Sequence, residues 1–336
     1  MRILVTGGAG YIGSVSVEAF LAAGHEVTVL DDLSTGHRAA IADGARLELG
    51  SYIDSTAVAK LLESRQIDAV LHCGAKSIVS ESMTDPAKYF RENVAGGIAL
   101  LEGMRAADVK RIVFSSTAAT YGMPERTPIS EADPVRPINA YGETKRSVEG
   151  AIRWYGHGYG FRSVILRYFN AAGASARNGE QHVPETHLIP NVLLAAEGAR
   201  TLTIFGADYP TPDGTCVRDF IHVEDLARAH LLALEATGPA APGIGSLEAV
   251  SEPLICNLGT GSGFSNREVV AAAEKVVGHP IAVQLGPRRA GDPPVLVASS
   301  DRARDVLGWQ PLHGTIEEMI GSAWEWRQKH PGGYAE

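Results

Sequence analysis

Short runs of apolar residues alternate with longer segments of helical spacing through the first half of the chain. The apolar runs predict six β-strands, at residues 3–5, 26–30, 45–49, 69–72, 111–115 and 163–167. Most of these runs are apolar without interruption, which is typical of parallel strands covered by helices on both faces. We therefore predict an α/β fold with a doubly wound parallel sheet.

The alternation becomes irregular beyond about residue 170. The pattern there predicts a helix at 188–197, a strand at 201–205, a loop at 210–214 and a surface loop at 238–245. Residues 221–236 predict one more strand and helix of the first domain.

A length of 336 residues suggests roughly two domains. We expect a Rossmann-type nucleotide-binding domain at residues 1–170, to which residues 215–237 return. We expect a smaller C-terminal substrate-binding domain at residues 171–336. The two domains are therefore predicted to be interleaved rather than sequential.

Clustered glycines follow the first predicted strand directly. Gly7, Gly10 and Gly13 are spaced so that the backbone can turn sharply, let a pyrophosphate approach its amides, and pack a helix at 14–23 against the sheet. A loop of small residues can also be a simple turn, so the glycines alone are a weak signal. In this context they favour a dinucleotide as the ligand.

An acidic pair ends the second predicted strand. Asp31 lies 18 residues after Gly13, where a carboxylate can accept hydrogen bonds from a ribose 2′-hydroxyl and repel a 2′-phosphate. Asp32 adds to that repulsion. The pair therefore favours NAD over NADP as the cofactor.

Composition narrows the classes of partner. The net charge of −9 argues against binding to nucleic acid or to an anionic membrane. The three cysteines are scattered without a Cys-x-x-Cys pair, so we expect reduced thiols and no metal site. The first strand leaves no room for a signal peptide, and no apolar run approaches about 20 residues. We expect a cytoplasmic enzyme.

Tyr141 and Lys145 are four residues apart, on one face of a helix whose start is indicated by Asn139. A cation beside a phenol lowers the pKa of the phenol, which can then accept a proton from an alcohol near neutral pH. Thr117 follows the predicted strand 111–115, at the edge where open α/β sheets bind ligands. Taken singly, such residues also occur as a surface pair or as a helix cap. Together they predict a Thr–Tyr–Lys site for alcohol oxidation.

Taken together, these features resemble the extended short-chain dehydrogenase/reductase family, and within it the 4-epimerases of UDP-sugars. The resemblance runs almost from end to end. It is carried by the segments TGGAGYIG, SSTAATYG, INAYGETK, RYFNAAGA, PETHLIP, IFGADYPTPDGTCVRDFIHVEDLA, NLGTGSGFSN and PRRAGDPP.

The resemblance implies a role for each matching residue. Tyr141 would be the catalytic base, Lys145 its electrostatic partner, and Thr117 the hydroxyl between substrate and phenol. The cofactor would be NAD, held by Gly7, Gly10, Tyr11, Ile12, Gly13, Asp31, Asp32, Ser51, Asn93, Ser115, Tyr141, Lys145 and Tyr168. A UDP-sugar substrate would be held by Thr117, Asn170, His187, Leu188, Thr203, Phe205, Arg218, Arg289, Asp292 and Leu296.

Several positions depart from the family pattern, and they cluster around the cofactor. Ser51 stands where the family usually has an Asp, Cys73 replaces an expected Phe, and Lys76 replaces an apolar residue. Lys76 either adds a cation near the bound nucleotides or points to solvent. These changes bear on the affinity for NAD more than on the chemistry.

The implied reaction is inversion at C4 of the sugar through a 4-keto intermediate, on tightly bound NAD and without net oxidation. UDP-glucose and UDP-galactose are the expected pair, because Leu296 is of intermediate size at the position that walls the sugar's 2-substituent. A UDP-N-acetylhexosamine pair and the UDP-xylose/UDP-arabinose pair are the alternatives. The resemblance also implies a homodimer that pairs through helices at 89–106 and 141–155.

Three other functions would use parts of the same set of residues. A sugar-nucleotide 4,6-dehydratase needs an Asp-Glu pair after the threonine, and here Ala118 and Ala119 follow Thr117. A simple reductase would exchange its cofactor at each turnover. The sequence excludes a reductase less cleanly than it excludes the dehydratase. A non-catalytic NAD-binding sensor would have lost the chemistry, against which the intact Thr–Tyr–Lys set argues.

Overall fold

The computed structural model describes residues 1–238, 252–289 and 292–335. Its strands, in chain order, are β1 (Arg2–Thr6), β2 (Glu26–Asp31), β3 (Arg46–Leu49), β4 (Ala69–His72), β5 (Arg111–Thr117), β6 (Arg162–Tyr168), β7 (Asn170–Ala172), β8 (Leu202–Phe205), β9 (Val217–His222), β10 (Leu254–Leu258), β11 (Gly263–Ser265), β12 (Val283–Gly286) and β13 (Val295–Leu296). Its α-helices are α1 (Tyr11–Ala22), α2 (Ser55–Ser64), α3 (Val79–Thr84), α4 (Pro86–Tyr89), α5 (Gly96–Ala106), α6 (Ala140–Tyr159), α7 (Leu188–Ala196), α8 (Val223–Ala236), α9 (Asn266–Val277), α10 (Asp301–Leu307) and α11 (Ile316–Lys329).

Seven strands form one parallel sheet in the order β10-β6-β5-β4-β1-β2-β3. The predicted doubly wound α/β fold is therefore confirmed, and all six strands predicted for it are present. The strand order reverses at β1, which has β2 on one side and β4 on the other. In open α/β sheets, ligands bind at the carboxyl ends of the strands beside such a reversal.

The first strand shows why both faces of this sheet are covered. Ile3 and Val5 pack into the core that contains α1 and α8, whereas Leu4 packs into the core that contains α2, α5 and α6. All three side chains are fully buried. Successive residues of a strand point to opposite faces, so a strand buried on both sides must be apolar throughout.

Residues 221–236 were predicted to add a strand and a helix to the first domain, and the prediction is wrong for the strand. β9 pairs with β7, β11 and β13 in a separate four-stranded sheet, and the seventh strand of the parallel sheet is β10, which the sequence analysis missed. The helix does lie on the first domain, because α8 packs against α1. β10 follows the predicted loop at 238–245, of which all but Gly238 lies outside the described residues.

The predicted helix at 89–106 is not a regular α-helix throughout. Residues Phe90–Ala95 form a π-helical turn between α4 and α5. Such turns widen the backbone locally and occur often at functional sites. Asn93, one of the predicted cofactor residues, lies in this turn.

A third core lies in the second half of the chain, where β8, α7, α9 and α11 bury apolar residues against one another. The helix predicted at 188–197 and the strand predicted at 201–205 correspond to α7 and β8. No helix within the described ranges is both long and apolar enough to cross a membrane.

Candidate active site

The glycine loop has the shape that a pyrophosphate requires. Gly7 has a φ of +70°, and a Cβ at this position would lie 2.6 Å from the Cα atom of Gly74. A Cβ at Gly13 would collide with the carbonyl oxygen of Gly7 and lie 2.8 Å from the Cα atom of Gly8. Because these neighbours are backbone atoms, they cannot move aside. The loop therefore stays open as a cradle at the start of α1.

Tyr11 and Ile12 form the first turn of α1 behind that cradle. The Tyr11 hydroxyl donates a 2.6 Å hydrogen bond to the carbonyl oxygen of Gly173, which ties the loop to the second half of the chain. Gly10 precedes the helix, and no side chain caps its N-terminus. The first backbone amides of α1 are therefore available to an anion.

Asp31 is held rigidly at the end of β2. Its carboxylate accepts hydrogen bonds from the backbone N–H groups of Ala9 and Leu33, both at 2.9 Å. Burial raises the pKa of Asp31, and these hydrogen bonds oppose the shift. The bond to Ala9 fixes the carboxylate directly beside the glycine loop, where an adenosine ribose would lie.

The residues that depart from the family pattern lie around this acidic pair. Lys76 donates a 3.0 Å hydrogen bond to the Ser34 hydroxyl at an exposed position, so its charge lies near the acidic pair and still reaches solvent. Burial opposes ionisation of Asp32, but hydrogen bonds from Ser34 and the charge of Lys76 lower its pKa overall. Ser51 accepts a 3.3 Å hydrogen bond from the Ile53 amide in the same region.

Asn93 connects the loop after β4 to α6. Its amide oxygen accepts from the Lys76 backbone N–H at 2.8 Å, and its amide nitrogen donates to the Lys76 carbonyl and the Thr144 hydroxyl, both at 3.0 Å. The side chain is thus engaged within the protein, and its contribution to a cofactor site is to hold these elements in place.

Ser115, Thr117, Tyr141 and Lys145 lie together at the carboxyl end of β5, and we call this group the catalytic edge. The Asn139 side chain caps α6 by accepting a 2.8 Å hydrogen bond from the Gly142 amide, and the first turns of α6 bring Tyr141 and Lys145 to this edge. The sequence analysis predicted this cap from Asn139.

Tyr141 is buried, and the Thr117 side chain lies beside its phenol. Burial raises the pKa of Tyr141 to about 12, and the nearby Thr117 hydroxyl opposes the shift. A phenol in this setting needs a neighbouring positive charge before it can act as a base near neutral pH.

Lys145 donates a 2.8 Å hydrogen bond from Nζ to the Ser115 carbonyl and lies 4.8 Å from the centre of the Phe114 ring. Burial lowers the pKa of Lys145 to about 8, with Cys73 and Glu149 opposing the shift. The ammonium therefore remains largely protonated at neutral pH, although burial has weakened its hold on the proton.

A buried hydrogen-bond chain behind Ser115 was missed by the sequence analysis. The His230 ring lies 3.0 Å from the Ser16 hydroxyl and 3.1 Å from the Ser115 hydroxyl, which in turn lies 3.1 Å from the Cys73 sulfur. Burial lowers the pKa of His230 to about 3, so the ring is neutral. Tyr168, opposite Thr117 on β6, lies near Ser115. No local sequence pattern marks His230 beyond its place on the apolar face of α8.

A second buried network supports the catalytic edge from α6. Glu149, one turn beyond Lys145, forms a 2.6 Å ion pair with Arg167 and accepts a 2.5 Å hydrogen bond from Ser116. Arg167 also donates to the Tyr121 hydroxyl at 3.0 Å. Because both ionic side chains are nearly inaccessible, the pair fixes the spacing of α6, β5 and β6.

Six of the predicted substrate residues share one face of the second half of the chain, which we call the nucleotide-sugar surface. They are Thr203, Phe205, Arg218, Arg289, Asp292 and Leu296. Arg218 on β9 pairs with Asp292 at 3.0 Å, and the Arg289 guanidinium lies 4.1 Å from the centre of the Phe205 ring.

Asp219, the sequence neighbour of Arg218, is a second carboxylate close enough along the chain to pair with it. Asp219 is instead buried and accepts hydrogen bonds from the amides of Thr260, Gly261 and Ala298. Arg218 is therefore free of Asp219 and directed to the nucleotide-sugar surface.

Thr203 and Leu296 complete that surface. Thr203 on β8 accepts a 2.9 Å hydrogen bond from Gln284. Leu296 stands opposite Arg218 in the pairing of β13 with β9 and packs against a small cluster that includes Ala118 and Phe169. Because Ala118 follows Thr117, Leu296 lies between the catalytic edge and the nucleotide-sugar surface.

The three remaining predicted substrate residues lie on the segments that join the two regions. Asn170 begins β7, His187 immediately precedes α7, and Leu188 is the first residue of that helix. The His187 ring lies between Glu180 and Glu185. Burial alone would lower the pKa of His187, but the two carboxylates raise it to about 10.

Comparisons with known proteins agree with this geometry. The chain is 49% identical to the UDP-glucose 4-epimerase of Lacticaseibacillus casei, over all of this chain and 99% of the relative. A crystal structure of UDP-glucose 4-epimerase superposes with a TM-score of 0.93 at 45% identity, covering all of both chains. The UDP-glucose 4-epimerase from Brucella ovis, in complex with NAD, superposes with a TM-score of 0.90 at 42% identity, over 96% of this chain and 97% of the other.

A family model described as the NAD dependent epimerase/dehydratase family matches residues 3–244. That match covers most of the chain, and the relatives match it at full length. The chain belongs to the NAD dependent epimerase/dehydratase family.

Proposed function

We propose that this chain is a UDP-glucose 4-epimerase that interconverts UDP-glucose and UDP-galactose on tightly bound NAD. The observation that carries the proposal is the buried Tyr141 beside Thr117, with Lys145 one turn further along α6, at the switch-point edge of the parallel sheet. The full-length similarity to proteins of that name supports it.

The glycine loop and Asp31 fit the pyrophosphate and the adenosine ribose of a dinucleotide. The open cradle at Gly7 and Gly13 takes the pyrophosphate, and the oriented carboxylate of Asp31 takes the ribose hydroxyls. Ser115, Lys145 and Tyr168 line the nicotinamide end. When bound, NAD supplies an acceptor for the hydride of the sugar C4 atom and returns it, so that no net oxidation results.

Tyr141 is the proton acceptor of the proposed reaction. As a phenolate it takes the proton of the sugar 4-hydroxyl, directly or through Thr117, and the C4–H bond breaks to leave a 4-keto sugar. The same phenol returns the proton when the keto group is reduced. Lys145 favours the phenolate because its ammonium carries a positive charge on the same helix face.

The nucleotide-sugar surface holds the substrate by its UDP group. Arg218 and Arg289 offer guanidinium groups that bind the pyrophosphate through charged hydrogen bonds. Because the chain as a whole is acidic, an anionic group must be bound by such local positive charges. A keto sugar held mainly through UDP can rotate and present its opposite face. The returned hydride then gives the inverted configuration at C4.

Leu296 sets the proposed range of sugars. Its position beside Ala118 supports a role as a wall near the reacting sugar. A leucine is smaller and more flexible than an aromatic residue, so we propose measurable activity on the UDP-N-acetylhexosamine pair below that on UDP-glucose and UDP-galactose. UDP-xylose and UDP-arabinose remain a further candidate pair.

The proposal includes a homodimer in the cytoplasm. Large apolar side chains are exposed on the helices expected to pair, with Phe90 at 42%, Ile98 at 41%, Trp154 at 68% and Tyr159 at 48% exposure. Burial of such a face would stabilise a dimer. Light scattering should therefore give twice the chain mass of 35.6 kDa at micromolar concentration. The three unpaired cysteines support a reducing compartment.

One experiment separates the proposal from its alternatives. The purified protein is denatured, the released cofactor is identified by its absorbance spectrum, and the native protein is assayed for conversion of UDP-galactose to UDP-glucose without added NAD. Released NAD with steady conversion supports an epimerase. A requirement for added cofactor at each turnover would indicate a reductase, and bound NAD without conversion would indicate a sensor.

A further inference from the structure

A repeated Glu-x-His pattern lies in the segment that leads into α7. Its four side chains are Glu180, His182, Glu185 and His187, and we call them the Glu/His cluster. Each pair is separated by one residue, and the four potential ligand atoms all lie within 4.8 Å of one another. The proposed reaction uses His187 alone, which leaves the convergence of the other three side chains unexplained.

The distances within the Glu/His cluster match those around one metal ion. The His187 Nδ1 atom lies 3.0 Å and 3.1 Å from carboxylate oxygens of Glu180 and Glu185, and the His182 Nδ1 atom lies 3.5 Å and 3.7 Å from oxygens of the same residues. A tetrahedral ion with bonds of roughly 2.0–2.1 Å holds its ligand atoms about 3.3 Å apart. The two distances from the Glu180 oxygen bracket that value, and Glu185 faces His187 with one carboxylate oxygen and His182 with the other.

His182 provides a second, independent observation. Its Nδ1 atom is buried and makes no hydrogen bond to any residue in the described part of the chain. The atom is aimed at two carboxylates that are too far away for hydrogen bonds. A buried polar atom without a partner is costly, and a shared ion would satisfy it together with the carboxylates.

The surroundings restrict which groups can neutralise the negative charges of Glu180 and Glu185. The side chains of Glu180 and Glu185 are only 8% and 6% exposed. One oxygen of Glu185 already accepts the amides of Thr186 and His187, at 2.8 Å and 2.9 Å, which leaves its other oxygen facing His182. A bound metal ion displaces the proton that His187 holds between the carboxylates, so both imidazoles are then neutral and a divalent cation balances the two negative charges.

We propose that the Glu/His cluster binds one divalent transition-metal ion of the zinc class. Two imidazole nitrogens with two carboxylates suit Zn²⁺ and its neighbours better than Mg²⁺ or Ca²⁺, which prefer oxygen ligands. Four protein ligands make a closed site, which is typical of a structural ion. Such an ion would fix His187 and the start of α7 beside the substrate. This revises the expectation from the cysteines, because the ligands are histidines and glutamates.

The test uses the full-length, NAD-loaded protein after treatment with a chelator. Titration with Zn²⁺, followed by desalting and elemental analysis, should find one tightly bound equivalent that excess Mg²⁺ does not displace. Loss of an outer-shell partner alone costs a metal site roughly tenfold in affinity, so His182→Gln should weaken binding at least ~10-fold. His313→Gln is the matched control, since it alters the other His/Glu group, which also includes His222 and Glu224.

The proposal is overturned if the untreated and titrated protein binds no Zn²⁺, if His182→Gln binds it as tightly as the parent, or if binding is lost in His313→Gln instead. Should His182→Gln fail to fold, Glu180→Gln replaces it. A crystal grown with Zn²⁺ provides a measurement without any variant. An anomalous peak between the four side chains supports the site, and a map with no peak there means that His187 shares a proton between the carboxylates instead.

Discussion

The catalytic edge is buried and the nucleotide-sugar surface is more open. Ser115, Tyr141 and Lys145 are 0%, 8% and 3% exposed at the end of a seven-stranded sheet. Arg289, on the nucleotide-sugar surface, is exposed, and the strands that build this surface are only two to six residues long. The catalytic groups are held by two buried networks. The binding groups are held by fewer contacts: Arg218, for example, pairs with Asp292 and donates to the Val217 carbonyl.

The difference matches what each region must do. Proton transfer requires that donor and acceptor atoms stay within a few tenths of an ångström, so the catalytic edge is built on rigid elements. The keto sugar must rotate to present its opposite face while its nucleotide remains bound. The nucleotide-sugar surface therefore needs strongly binding charged groups at some distance from the reacting carbon. Substitutions in the two regions should therefore affect different kinetic constants.

The largest effect is expected at the catalytic edge from Tyr141→Phe. The substitution removes the proton acceptor and preserves the packing of the ring, so turnover should fall by at least ~10²-fold while NAD stays bound. The measurement is the rate of UDP-galactose conversion together with the amount of NAD released on denaturation. Tyr159→Phe, on the same helix but half exposed, should leave both unchanged. Near-normal turnover in Tyr141→Phe would mean that the base lies elsewhere.

Gly13→Ala tests the rigidity of the buried region. The added Cβ meets backbone atoms of Gly7 and Gly8, so the cradle must shift. Overpacking of this kind costs about 1–3 kcal/mol, which corresponds to roughly 5-fold to 150-fold weaker NAD retention. Gly150→Ala, on α6 with open space around it, should retain NAD as the parent does. Equal NAD content in the two variants would show that the loop can relax.

Lys145→Ala tests the electrostatics of the catalytic edge. Without the ammonium, the Tyr141 phenol ionises only at higher pH, so the pH optimum should rise by about one unit and the rate at pH 7 should fall roughly tenfold. In the parent, the pKa of about 8 for Lys145 means that its charge is lost as the pH rises through that value. Arg146→Ala, at the exposed neighbouring position, should keep the parent pH profile. An unchanged profile in Lys145→Ala would limit that residue to cofactor binding.

The smallest effect is expected where the two regions meet. Leu296→Tyr should suppress activity on UDP-N-acetylhexosamines selectively, because a bulkier wall removes room for the N-acetyl group, with a loss of roughly 10-fold relative to UDP-glucose. Leu312→Tyr is the control at an exposed site. A parent enzyme that rejects N-acetyl substrates, or an equal loss of kcat/KM for both pairs, would show that Leu296 is not this wall.

The two regions also differ in how far the sequence predicts them. The first six strands of the parallel sheet follow from apolar runs, most of them uninterrupted, and the start of α6 follows from Asn139. The strand β10 was missed because it follows a stretch of sequence rich in Gly, Pro and Ala and because its place beside β6 is set by tertiary pairing. For the same reason, β9 was assigned to the wrong sheet: its apolar pattern suits either one.

The support around the site was harder to foresee than the site itself. Tyr141 and Lys145 stand out because their spacing has a chemical meaning on a helix. His230 and Glu149 are joined to Ser115 and Arg167 only by the fold, and single polar residues on an apolar helix face carry no local signal. The Glu/His cluster was visible as a spacing, but its convergence depends on the turn taken by residues 180–187.

A steady-state comparison of Tyr141→Phe with Arg218→Gln tests the division between the two regions most directly. Removing a charged hydrogen bond to the pyrophosphate costs about 1.5–3 kcal/mol, so Arg218→Gln should raise KM by roughly 10-fold to 100-fold and leave kcat within a few fold. Tyr141→Phe should lower kcat by at least ~10²-fold with little change in KM. A large loss of kcat in Arg218→Gln, or a change confined to KM in Tyr141→Phe, would contradict the separation of catalysis from nucleotide binding.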